Sequence, residues 1–192
     1  MTITLDLDDP SAVVVAAVRA LDTAGIDALV YGGMALATYG EPRETKDADL
    51  AVFGVSASAG RVALEAIGVS VVLAFDSTRF GGLSISRLSL LGGGKLNMVD
   101  LVTPRSQRYA SALMQRPIRG TLDGQPLRIV APEDFVLLKV LSTRERDLED
   151  ARTVLAALAG RLDDELIERE ANGLASEIAD HDVLGRYRAI RT

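Results

Sequence analysis

The chain has 192 residues, 48% of them hydrophobic, and carries a formal net charge of −6 from 27 acids against 21 lysines and arginines. This composition excludes a disordered chain and a surface that binds nucleic acid throughout, and the lack of cysteine excludes disulfides and thiolate metal sites. Any metal is left to carboxylates and one histidine, so a hard, oxygen-seeking cation such as magnesium is the expected one. No apolar run approaches the roughly 20 residues that span a bilayer, and the opening "MTITLDLDDP" lacks a basic leader, so a cytoplasmic protein without membrane contact is expected.

In chain order, "DDPSAVVVAAVRALDTAG" predicts a helix with Asp9 as N-cap, Pro10 at its first position, a stripe of Val14, Val18 and Leu21, and a stop at Gly25. "DALVY" predicts a strand, Gly32 and Gly33 lead into a short helix closed by Gly40, and "EPRETK" is a polar loop before the strand "DADLAVF". "AGRVALEAIG" reads as a helix and "VSVVLAF" as a strand. "LSISRLSLLGGGKLNMVDLV" gives two strands about a glycine turn at residues 92–94. The "GGGK" in that turn is not a phosphate loop, because Leu96 stands where Ser or Thr is needed.

"RSQRYASALMQR" predicts a helix, and "RPIRGTLDGQPLRIV" a hairpin about Asp123-Gly124. The chain is then mostly helical to its end. The fold class is therefore α/β (α+β), a mixed sheet of about four or five strands flanked by helices. A soft boundary near residues 130–133 separates a core, 1–130, from a helical C-terminal region, 131–192. Residues 101–152 carry nine basic residues, among them Arg105, Arg108, Arg116 and Arg128, against seven acids, which leaves a local basic surface open. His181 lies in an acidic tail without a matching ligand and reads as a surface residue.

Asp47 and Asp49 are separated by one residue at the mouth of a strand, so their carboxylates project to one face. Like charges that close repel unless a cation lies between them. Asp100, in the apolar run "NMVDLVT", supplies a third carboxylate if its strand is adjacent, enough for two magnesium ions about 3.5–4 Å apart and an in-line displacement at phosphorus. Gly32 and Gly33 let a phosphate approach the N–H groups at the start of the following helix, and Arg43 and Lys46 add positive charge for a triphosphate.

Gly-Gly, thirteen residues, Asp-Ala-Asp and a third Asp on a later strand resemble the nucleotidyltransferase superfamily, whose fold is shared by the DNA polymerase beta palm and the kanamycin nucleotidyltransferases. "APEDFVLLKVLSTRERDLEDARTVL" resembles the Lys and Arg-Asp-x-x-Asp segment of AbiEii-type toxin nucleotidyltransferases and related bacterial proteins. Together the two resemblances run from about residue 27 to about 160. They imply that Gly32 and Gly33 cradle the phosphates of an NTP, that Asp47 and Asp49 bind Mg2+, and that Asp100 binds one metal and helps deprotonate the acceptor. Lys139 would contact the triphosphate, with Asp147 or Asp150 holding it in place, so that the C-terminal helices complete the site. Gly33 stands where many relatives carry Ser and offers no hydroxyl.

Read without the resemblance, Lys139 either extends to water or points at something negative, and Asp147 and Asp150 equally suit a helix cap and an exposed ion pair. The reaction implied is NMP transfer from an NTP to an acceptor hydroxyl. Four roles stay open: a toxin acting on tRNA, with a cognate antitoxin as partner; an antitoxin-like enzyme that adenylylates a protein; an aminoglycoside-type enzyme; and a non-catalytic domain that binds nucleotide or a partner. The three intact aspartates count against the last.

Overall fold

The computed structural model describes residues 5–191. Asp9 accepts hydrogen bonds from the N–H groups of Ser11 and Ala12, and Pro10 opens α1 (Pro10–Thr23), the start that local chemistry dictates. There follow β1 (Ala28–Val30), α2 (Gly32–Tyr39), β2 (Ala48–Val52), α3 (Ala57–Glu65), β3 (Ser70–Phe80), β4 (Leu83–Gly92) and β5 (Lys95–Pro104). The chain continues through α4 (Gln107–Met114), β6 (Ile118–Leu122) and β7 (Gln125–Ile129), then α5 (Pro132–Leu141), α6 (Glu145–Ala157), α7 (Asp164–Glu177) and α8 (Val183–Ile190). The "GGGK" segment is the β4–β5 turn, with Gly92 paired to Lys95.

The strands form one mixed sheet of seven, in the order β3-β4-β5-β2-β1-β7-β6. This exceeds the four or five expected, because the β6–β7 hairpin joins the same sheet rather than standing apart. Asp123 and Gly124 both take positive φ, 50° and 72°, as a tight two-residue turn requires, and β7 then docks parallel to β1 at Val30 and Ile129. β5 pairs parallel with β2 and antiparallel with β4, which puts it inside the sheet.

The two faces are set by period-two alternation. A Cβ on Gly60 of α3 would lie 2.5 Å from Leu101 Cδ1 and 3.7 Å from Leu88 Cδ1, so those leucines face α3. Their neighbours Asp100 and Arg87 consequently face the other way. α1 packs beside α3 and against β1, while α2, α5 and α6 contact one another.

The C-terminal helices are fastened to the sheet by polar contacts as well as by core packing. The Gly82 N–H, in the β3–β4 turn, donates to the Leu141 carbonyl at 2.8 Å, and His181 Nε2 lies 3.0 Å from the Val140 carbonyl. His181 is therefore half-buried between elements rather than a free surface residue. Asp134, fully buried, accepts from Arg116 Nε and Nη2 at 2.7 and 2.6 Å and from the Tyr109 hydroxyl at 2.9 Å. Such charge-assisted forks tie α4 and the segment after it to α5. Among the described residues, no helix is long and apolar enough to cross a membrane.

Candidate active site

One row of residues crosses the sheet at the amino end of β2. Asp49 of β2 is the register partner of Asp100 of β5, and Asp100 is in turn the partner of Arg87 of β4. Side chains opposite one another in adjacent strands share a face, so Asp49, Asp100 and Arg87 project together. Asp47 enters the same group, because Arg87 Nη2 contacts Asp100 Oδ2 at 2.7 Å and Asp47 Oδ2 at 3.7 Å.

Arg87 is a residue that motif reading passed over. Its guanidinium grips Asp100 with both prongs, Nε to Oδ1 and Nη2 to Oδ2, each at 2.7 Å, and its carbon lies 5.6 Å from the Phe75 ring centre. Those bonds with Asp100 raise the arginine's own pKa above its ordinary value. Among the described residues no three acidic or histidine side chains already surround a common point, and the Arg87 guanidinium lies between Asp47 and Asp100.

Asp49 has a different environment. None of the described residues donates a hydrogen bond to its carboxylate or forms an ion pair with it, and its pKa is pushed up to about 6, by burial first and then by the negative charge of Asp100. Lys139 pulls the other way and does not prevail.

The glycine pair is explained by close approach. A Cβ on Gly32, whose φ is +62°, would lie 1.8 Å from Asp49 Oδ2, and one on Gly33 would lie 2.7 Å from Thr45 Cβ. The space that these glycines leave is thus filled by the chain's own Asp49 and Thr45. α2 starts there without a side-chain cap, its cap residue being Tyr31, so the positive end of that short helix sits beside the carboxylates.

Lys139 of α5 is 3% exposed and lies between two acids, 2.5 Å from Asp147 Oδ1 and 2.9 Å from Asp150 Oδ2. Its ammonium also faces the Tyr31 and Phe135 rings at 5.2 and 5.3 Å from their centres. Of the two readings open for this lysine, pointing at negative charge is the one observed, and Asp147 and Asp150 are neither a simple cap nor an exposed pair.

Arg43 does not reach freely into the site: its Nε and Nη2 bind Asp150 at 3.2 and 3.1 Å. Although burial pushes the other way, Arg43 and Lys139 together hold the Asp150 carboxyl below its usual range. Lys46 stands apart, with its side chain 82% exposed and 3.8 Å from Glu44. At the mouth of the cleft the exposed Arg144, counted in the basic segment but not singled out as a site residue, joins Tyr31, Asp49, Asp100 and Lys139 in the lining. The cleft holds only about 50 Å3, room for a water or an ion but not for a nucleotide in its present state.

The basic surface left open by residues 101–152 is partly neutralised. Arg105 pairs with Asp180, Arg108 with Glu170 and Glu177, Arg116 with Asp134, and Arg128 with Asp27.

Two solved structures share this architecture over most of their length. The antibiotic-resistance factor ANT(2'')-Ia aligns with a TM-score of 0.54 at 14% identity, covering 88% of this chain and 93% of that one. An antigenic nucleotidyltransferase-like protein from Paracoccidioides brasiliensis aligns with a TM-score of 0.54 at 19% identity, covering 90% of each. The chain has a nucleotidyltransferase fold. No protein-family model and no curated protein matches the sequence.

Proposed function

We propose that this protein is a magnesium-dependent nucleotidyltransferase that moves an NMP from an NTP to an acceptor hydroxyl. The observation that carries this reading is the placement of Asp49 opposite Asp100 in parallel strands, with Asp47 alongside and the uncapped start of α2 beside them. The donor set fits a hard cation. It consists of carboxylate oxygens only, and Asp49, with no partner of its own, carries a charge that burial and Asp100 disfavour.

Asp47, Asp49 and Asp100 would hold the metal ions, whose chemistry there is to neutralise charge on the transferring phosphoryl group and to make the attacking oxygen more acidic. The chain's own groups bind and orient. The N–H groups at the start of α2 face the phosphates, Arg144 reaches the outer phosphates from the mouth, and Lys139, fixed by Asp147 and Asp150, sets the positive potential behind Asp49. Asp100 accepts the proton of the acceptor hydroxyl once its oxygens are free of Arg87. No protein nucleophile is required, because positioning and charge stabilisation supply most of the acceleration in such transfers.

For the acceptor, the pairing of Arg105, Arg108, Arg116 and Arg128 with acids favours a small molecule or a protein hydroxyl over RNA, since phosphate binding needs unpaired cations along a surface. A toxin acting on tRNA is the second reading. It is supported by the AbiEii-like segment that holds Lys139, Asp147 and Asp150 together, and it would bring a cognate antitoxin as partner. Absence of a membrane-spanning helix among the described residues suits action in the cytoplasm on either reading.

The test is incubation with each of four α-labelled NTPs and magnesium, in parallel with cell RNA, cell protein and aminoglycosides. Label on protein or on a small molecule, lost in an Asp47→Ala, Asp49→Ala variant, is expected. Label on RNA would replace the first acceptor reading with the second, and label transfer by the double variant would overturn the assigned site. Arg144→Ala should raise KM for the NTP about tenfold with a smaller change in kcat, as loss of one charge-assisted phosphate contact would. An unchanged KM in steady-state assays would remove Arg144 from the triphosphate site.

A further inference from the structure

We propose that Arg87 is an internal competitor of the metal, a resident cation that holds Asp100 and Asp47 until a divalent ion displaces it. The inference rests on the metal-dependent reading above and goes beyond it by assigning a residue outside the aspartate motif.

Asp100 is 3% exposed and lies in the interior of the sheet, between β4 and β2. A carboxylate so placed calls for a cationic partner, since uncompensated buried charge is costly. Arg87 meets that need in full. It is the register partner of Asp100, so it faces the carboxylate without any rearrangement of the strand, and its fork matches both oxygens at 2.7 Å. The same Nη2 reaches Asp47 at 3.7 Å, so one guanidinium bridges two of the three carboxylates that a metal would use.

A divalent cation and this guanidinium need the same oxygen lone pairs of Asp100, and both cannot have them at once. Asp49, which lines the cleft and is the one of the three carboxylates that Arg87 does not contact, is the open point of entry. The arginine can also leave. Its side chain is 24% exposed, and the Phe75 ring beneath it offers a surface on which a released guanidinium can rest.

Metal affinity read without turnover tests this. Mn2+ would be titrated by EPR into wild type, Arg87→Met, Arg87→Lys and Asp49→Asn, with melting temperatures measured by circular dichroism with and without Mn2+. Arg87→Met should bind Mn2+ about tenfold more tightly than wild type, melt lower without metal, and gain more from added Mn2+. Arg87→Lys, which keeps the charge and loses the fork, should fall between the two and decides the matter if Arg87→Met does not fold. A folded Arg87 variant with unchanged or weaker Mn2+ affinity would overturn the competition while leaving the metal site in place. Failure of Asp49→Asn to weaken wild-type binding would instead bring down the metal reading, and the competition with it.

Discussion

Asp49→Asn should abolish nucleotide transfer and at the same time raise the melting temperature of the metal-free protein. On the metal-dependent reading proposed above, loss of Asp49 removes charge stabilisation, so a drop of about a thousandfold or more in kcat/KM is expected. The gain in stability has a separate origin. Burial, then Asp100, lifts the Asp49 carboxyl from 3.8 to about 6, so at neutral pH the folded protein carries an ionised group that its surroundings disfavour.

The folded state holds this proton more tightly than the unfolded chain does. The contribution is therefore neutral below about pH 4, becomes increasingly unfavourable as pH rises towards 6, and is constant above that. Allowing for partial solvent access, removal of the charge should add about 1–2 kcal/mol at pH 7, or a few degrees in Tm. Calorimetry of both proteins in chelator at pH 5 and 7 checks it. A variant that melts with wild type at pH 7, or that retains turnover, would contradict this account of Asp49.

The largest loss of stability is expected from Lys139→Met. The substitution keeps the apolar stem but removes the cation between Asp147 and Asp150, leaving two buried acids with only Ser142 and Arg43 for company. Breaking a buried pair on one side costs about 3–5 kcal/mol, and contacts with the Tyr31 and Phe135 rings go as well. Urea denaturation of Lys139→Met and of Lys139→Met with Asp147→Asn should show the second substitution recovering part of the loss, the sign of a direct coupling. A single variant within about 1 kcal/mol of wild type would mean that the lysine's charge is not what holds α5 to α6.

What could be read from the sequence was what short-range chemistry decides. Asp9 and Pro10, the Asp123-Gly124 turn and the glycine turn before Lys95 each set their structure within a few residues, and all three lie where expected. Strand alternation set Asp47 and Asp49 on one face in the sequence, but β2 begins only at Ala48, and Asp47, in the bend before it, joins the group through Arg87. Hidden features depend on register between strands, which motif reading does not follow even within one hairpin such as β4–β5. Arg87 in "SISRLSL" looks like any polar residue of a half-buried strand until β4 is aligned with β5 and it stands opposite Asp100.

The same limit explains the seventh strand, since nothing local in "PLRIV" says that it will lie parallel to β1. It also explains why the basic middle segment looked open. Arg105, Arg108 and Arg128 find their acids in Asp180, Glu170, Glu177 and Asp27, none of which lies nearby in the chain. Arg43 was read as free for a triphosphate for the same reason, because its partner Asp150 belongs to a helix much later in sequence.

The central position of β5 also sets the order of events as the chain is made. β2 and β5 lie side by side in the sheet but are separated in sequence by α3 and the whole β3–β4 hairpin, and Lys139 comes later still. Closing so large a loop before its contacts reward it makes folding slow, and synthesis at roughly 5–20 residues per second delivers the partners one after another. A nascent chain therefore displays Asp47 and Asp49 well before it has Asp100 to set beside them, and the lysine that stands behind Asp49 is delivered last of all.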